Sequence, residues 1–177
     1  MAESVAPFYE GWRKANARLI QGLRPLTDAQ LRFVPGEGSS PIWMSAAHVA
    51  GTRVYWLCGV FKEPGAETTP FTDPLSGIGW EDDPAHPRTA AELVGALESS
   101  WAIVEATLAR WTPAMLGEEF TRQISGKTQR HTRQSVLMRM ITHDAFHSGE
   151  ISYLLGLQGL VAIDLWAAEW PLPSRAT

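Results

Sequence analysis

The 177 residues are 45% hydrophobic and 19% charged, with a formal net charge of −4. The length suits one domain, 1–177, built on a single core, and the charge balance excludes a general electrostatic pull toward nucleic acid or an anionic membrane. One cysteine, Cys58, excludes an internal disulfide framework and suits a reducing, cytoplasmic setting.

Residues 1–7 carry no charged segment followed by an apolar run, so no secretory signal is expected. No apolar stretch approaches the roughly 18 residues of a membrane span. Phe8, Trp12, Ala15, Leu19 and Leu23 recur at three- and four-residue steps and predict a first helix over about 5–24. Ser4 is its expected N-cap and Pro25 its stop, while Glu10, Arg13, Lys14 and Arg18 fall off the apolar face. Thr27 followed by Gln30 is a capping-box pattern for one short turn over 28–33.

Ser40 and Pro41 supply an N-cap and an N1 proline for a second helix running to about Phe61. Ile42, Trp43, Met44, Val49, Val54, Tyr55, Trp56, Leu57, Val60 and Phe61 make it apolar nearly all round. Such a helix is central in a bundle or covered by a second subunit. Cys58, in its most apolar stretch, reads as a buried small hydrophobe rather than a nucleophile.

Residues 62–88 form a long proline-rich connection, which either covers a site with Phe71, Ile78 and Trp80 as apolar anchors or crosses the surface between distant helices. Thr89 and Glu92 form a second capping box and open a third helix, with Leu93, Leu97, Trp101, Val104, Leu108 and Trp111 as its core stripe. Thr112 and Pro113 start a further turn over 113–116. Residues 117–131 fit a small hairpin turning at Ser125 and Gly126 or an irregular excursion equally well. The basic residues there, Arg122, Lys127, Arg130 and Arg133, read as a solvated face.

A fourth helix is expected from near Thr132 to about 156–159, with a tail whose Ile163, Leu165, Trp166 and Trp170 pack back on the bundle. Its core-facing stripe is Val136, Met140, His143, His147, Glu150 and Leu154. Polar groups in the middle of an apolar stripe cost about 1–3 kcal/mol each when unpartnered. Histidines at i and i+4 point the same way and can share a divalent ion, although HExxH is not matched, since Asp144 follows His143. Four amphipathic helices with one long crossover describe an all-α four-helix bundle with additional short helical turns. In such a bundle His48, about 12 Å into the second helix, is the natural third ligand to His143 and His147. His86 lies in the long loop, and His131 falls off the stripe.

Three stretches carry a family resemblance: LTDAQLRFVP at 26–35, AAHVA at 46–50 and HDAFHSGEI at 143–151. The last resembles the pattern His-x-x-x-His-x-Gly-Gln-Ile of the DinB-like (YfiT-like) metalloenzymes, and the likeness spans most of the chain. It implies a four-helix bundle, frequently a homodimer, in which His48, His143 and His147 hold one divalent metal. Glu150 stands where that pattern has Gln, as a fourth ligand, an acceptor for a ligand imidazole, or a catalytic general base. Despite the family's name, which comes from DNA-damage induction, no nucleic-acid partner is implied.

Three neutral ligands with an open position describe a catalytic metal, able to acidify water or hold a thiolate. Zn²⁺, Ni²⁺ and Fe²⁺ all suit three histidines, Zn²⁺ or Ni²⁺ first. The resemblance implies a small-molecule transferase using a low-molecular-weight thiol cosubstrate; a metal-dependent hydrolase and a non-catalytic, stress-associated metal-binding module are the alternatives. Trp43, Trp56, Trp80 and Trp101 either surround a flat substrate or fill the core. No Gly-x-Ser-x-Gly elbow and no phosphate loop occurs.

Overall fold

Why the first helix starts where it does follows from local geometry. A tight 3-10 turn over Ala6–Tyr9 precedes α1 (Glu10–Leu23), and its three-residue repeat breaks the register of the apolar stripe. Phe8 is therefore 78% exposed, not the first core residue, and Val5 is buried in its place, its N–H bonded to the Trp111 carbonyl. Ser4 caps nothing. Arg18, expected on the solvent side, is buried because its guanidinium donates to the Leu165 carbonyl of the returning tail. The structure, a computed structural model, describes residues 3–71, 73–75 and 79–165.

Thr27 and Gln30 close the expected capping box on α2 (Asp28–Leu31), which ends two residues before the predicted bound. In α3 (Ile42–Val54) the N-cap is Pro41, not Ser40, since Pro41 is still extended with ψ at 160°. A π turn over Tyr55–Val60 continues it, with the Phe61 N–H bonded to the Trp56 carbonyl at 3.0 Å. α4 (Ala90–Arg110) opens on the Thr89–Glu92 capping box, and α5 (Arg133–Leu157) on a third box between Thr132 and Ser135. The turn after α4 runs over Pro113–Gly117.

α3 packs on both α4 and α5, and α1 on α4 and α5. The apolar circumference of α3 is thus consumed within the chain and carries no argument for a second subunit. The bundle is the all-α architecture read from the sequence. The open question at 117–131 resolves as a hairpin of β1 (Glu119–Ile124) and β2 (Lys127–Thr132), antiparallel with Glu119 opposite Thr132 and Ile124 opposite Lys127. Ser125 and Gly126 take φ of 49° and 72°, the left-handed pair that a two-residue hairpin turn requires.

Two of its basic residues are not a solvated face. Arg133 is 9% exposed, with its guanidinium over Trp111, Phe120 and Phe61, and pairs with Glu118 and Glu63. Arg122 lies over Trp56 at 4.3 Å. Stacking on an aromatic face lets a guanidinium cover apolar surface while keeping its charge.

The long connection lies on α3. Phe71 is buried and meets Trp80 edge-to-face at 5.3 Å, and a 3-10 turn over Trp80–Asp82 packs on the helix. Gly51 makes that approach possible, since a Cβ there would sit 2.8 Å from Glu81 and 3.1 Å from Phe71. Ile78, the third proposed anchor, lies outside the described residues. In the tail Ile163 is buried and its backbone N–H bonds to Ser152, while Trp166 and Trp170 lie outside the described residues. No helix among the described residues is long and apolar enough to cross a membrane.

Candidate metal centre

The i,i+4 row of α3, continued by Trp56 in the π turn that follows it, meets the row of α5 in successive rungs. His48 faces His147, Thr52 faces His143, and Trp56 faces Arg139, with contacts of 5.1 Å, 3.4 Å and 5.5 Å. Each step along the rungs is one helical turn. The rule that places residues four apart on one face therefore assembles the cluster. Imidazole centroids of His48 and His143 are 4.9 Å apart, and those of His143 and His147 are 4.4 Å apart. One ligand atom from each of His48, His143 and His147 lies within 4.8 Å of the others.

The groups around the rings favour metal binding. His147 Nδ1 is 2.6 Å from Glu150 Oε2. With Nδ1–H donating to that carboxylate, the Nε2 lone pair is left for a cation. Among the described residues His143 Nδ1 is buried without a hydrogen-bond partner, and Asp144 Oδ1, also unpartnered, lies 3.9 Å from it. His143 Nε2 is on the cluster side, 3.4 Å from the Thr52 hydroxyl. Burial, followed by the neighbouring His143 and His147, pushes the His48 imidazole below its usual pKa, against an upward pull from Asp82 and Glu150. The neutral form, the one that ligates, is thereby favoured. The donor set fits a divalent ion.

Behind His143 lies a network that the sequence reading did not find. Asp144 Oδ2 accepts from Arg53 Nε and Nη2 at 2.9 and 2.7 Å and from Trp12 Nε1 at 2.7 Å. Arg53 Nη1 donates to Asn16 Oδ1 at 2.8 Å. Side chains of Arg53 and Asp144 are only 1% and 8% exposed. This network ties α1, α3 and α5 together directly beneath one imidazole. Its signal in the sequence was Arg53, the one formal charge inside a helix that is apolar nearly all round, which calls for a buried acidic partner.

The remaining candidates separate cleanly. His86 pairs with Asp83 in the loop, and His131 packs edge-on to Trp56 at 5.1 Å, so neither joins the cluster. Cys58 is buried, with its thiol toward the Pro64 carbonyl and pushed up in pKa by burial, as suits a core residue. Trp43 and Trp56 are core residues, and Trp101 is held between Trp12 at 5.3 Å and Arg53 at 5.5 Å. A cavity of about 330 Å³ opens on another face of α5, among Trp12, Leu19, Arg53, Asp144 and Ser148. It includes none of the three histidines, and the convergent donors rather than the cavity mark the chemistry.

The sequence pattern of the DinB superfamily matches residues 12–151, a span that includes all three histidines and Glu150. Among solved structures, a DinB-like protein from Bacillus cereus ATCC 10987 aligns with a TM-score of 0.64 and 21% identity, covering 92% of this chain and 97% of that one. At that identity the likeness shows the fold alone. Among curated proteins nothing matches.

Proposed function

We propose, since the chain belongs to the DinB superfamily and gathers three imidazoles from two helices, that it is a divalent-metal-dependent enzyme transferring a low-molecular-weight thiol to a small electrophile. The observation that carries this reading is the cluster of imidazoles, His48, His143 and His147, with ligand atoms within 4.8 Å of one another. Zn²⁺ or Ni²⁺, or Fe²⁺ in their place, would supply there the positive charge that acidifies a thiol or polarises a substrate atom.

This chain's own residues do the rest. His48 and the α5 pair, His143 and His147, would hold the ion. Glu150 Oε2 fixes the His147 ring, and Oε1 of the same carboxylate is the atom to which we assign the proton leaving the thiol. As the sulfur–carbon bond forms, the electrophile's leaving group departs with its electron pair, so the step balances without an oxidant. Asp144, clamped by Arg53 and Trp12, anchors the turn of α5 that carries His143.

Two wider expectations belong with this reading. The free, buried Cys58 suits a cytoplasmic setting. A homodimer is supported by the outer face of α5, where Met138, Phe146, Tyr153 and Leu157 are 61%, 64%, 66% and 48% exposed. Light scattering of the purified chain tests it, and a monomer mass at micromolar concentration would dismiss it.

The test of function is turnover by the metal-loaded protein of 1-chloro-2,4-dinitrobenzene with a panel of low-molecular-weight thiols, run beside a p-nitrophenyl ester without thiol. Thiol- and metal-dependent loss of chloride supports the transferase. Ester hydrolysis alone assigns the site to hydrolysis instead, and turnover of neither leaves a metal-binding module.

A further inference from the structure

Most arginines of known partnership in this chain are committed to a carboxylate. Arg13, Arg24, Arg32, Arg53, Arg110, Arg130 and Arg133 all have an acidic partner within 4.0 Å. Arg18 and Arg88 are spent on the Leu165 and Trp80 carbonyls. Arg122 and Arg139 have no acidic partner among the described residues, and both lie against the Trp56 ring. Arg122 stands 4.3 Å above the Trp56 ring and Arg139 5.5 Å from it. In a chain of net charge −4, two unneutralised guanidinium groups on one indole are a local reversal of sign.

Their place in the fold gives that reversal a use. Trp56 and Arg139 form the rung one helical turn from Thr52 and His143, about 5.4 Å along the helices. Arg122 is braced there by Gln129, which accepts from Nε and Nη2 at 2.9 and 2.7 Å, and by the Tyr55 hydroxyl at 2.7 Å from Nη1. Those three bonds leave two of its five N–H groups open. The Arg139 guanidinium makes no hydrogen bond among the described residues, and its side chain is exposed. His131, edge-on to the same indole, has its pKa lowered by burial and then by Arg122 and Arg139, as expected of a positive patch. The acidic groups facing the cluster, Asp82 and Glu150, act on His48 at the other end of the rungs. The strip therefore runs from acidic to basic, with the imidazoles between.

We propose that Arg139 and Arg122, stacked on Trp56 one turn from the three histidines, form a subsite for the carboxylate of a small organic acid whose other end reaches the metal centre. The planar fork of a guanidinium matches a carboxylate, and a rigid braced arginine beside a movable one is suited to admit and then hold it. The inference names the substrate class of the proposed enzyme and rests on that reading for the second point of attachment.

Calorimetric titration of the full chain with succinate, and with uncharged succinamide, tests it. Parent and Arg139→Gln are compared, cobalt-loaded and metal-free, with cobalt content measured on every sample. Arg139 is exposed and outside the core, so the variant is expected to fold. The expected result is succinate binding about tenfold tighter to the cobalt-loaded parent than to the variant at equal cobalt content, with no such difference for succinamide. Equal succinate affinity in the two proteins, or no succinate binding to the loaded parent, overturns the subsite. If the parent takes up no cobalt, the metal reading fails by itself and the metal-free titrations decide. A succinate signal lost in Arg139→Gln then keeps the subsite, and an absent or unchanged one removes it.

Discussion

Replacing Asp144 by Ala should destabilise the metal-free protein far more than a typical point substitution. The Asp144 side chain is 8% exposed, and its Oδ2 takes three hydrogen bonds of 2.7–2.9 Å from Arg53 and Trp12. Truncation leaves the Arg53 guanidinium, itself 1% exposed, with only Asn16 as hydrogen-bond partner among the described residues, and leaves the Trp12 N–H unsatisfied. Removing one member of a buried pair costs about 3–5 kcal/mol. For a chain of this size that lowers Tm by roughly 6–20 °C. Urea unfolding followed by circular dichroism measures it, with the slope m unchanged if only stability moves. The double variant Arg53→Met with Asp144→Leu removes both charges and should recover most of the loss, because no orphan charge remains. A cost below about 1 kcal/mol for Asp144→Ala, or a double variant as costly as the two single ones added, would refute the clamp.

Glu150→Ala removes the acceptor for His147 Nδ1 and should weaken metal affinity by about 10–100-fold while leaving the melting of the metal-free protein nearly unchanged, read by competition with a chromophoric chelator. The His131 imidazole should titrate below its ordinary value of about 6.5 in NMR, and Arg139→Gln should move it upward. Because its folded pKa is lowered, the unfolded chain binds the proton more tightly. Its contribution to stability is intact above about 6.5 and declines as pH falls through the folded value. Gly126→Ala forces a side chain into φ of 72° and should cost about 1 kcal/mol in thermal unfolding, without changing metal content.

Much of the site was legible because one rule, residues three and four apart share a helix face, holds wherever a helix is regular. It placed His143, His147 and Glu150 on one stripe, and the two apolar helices then left His48 as their partner. Capping boxes at Thr27 and Thr89 were equally readable, since the bonds are local. What escaped depends on geometry that no period carries. The 3-10 turn before α1 turned Phe8 outward, and the tail's return to Arg18 buried a charge that the helix face alone would expose. Arg122 and Arg133 read as solvated because their aromatic partners lie far away in sequence. Asp144 enters the sequence reading only as the residue that breaks HExxH, and Arg53, a charge in a mostly apolar helix, was passed over although it was the one signal of a buried acidic partner. A buried ion pair announces that a partner exists, not which residue it is.

The most direct test of the metal centre is elemental analysis of untagged protein purified without added metal, beside His143→Ala. The account predicts about one equivalent of a divalent transition metal in the parent and little in the variant, with both proteins showing the same helical circular dichroism. No metal in the parent, together with no rise in Tm when Zn²⁺ or Ni²⁺ is added back, would contradict it. The three imidazoles would then be a polar cluster satisfied by Glu150, Thr52 and water.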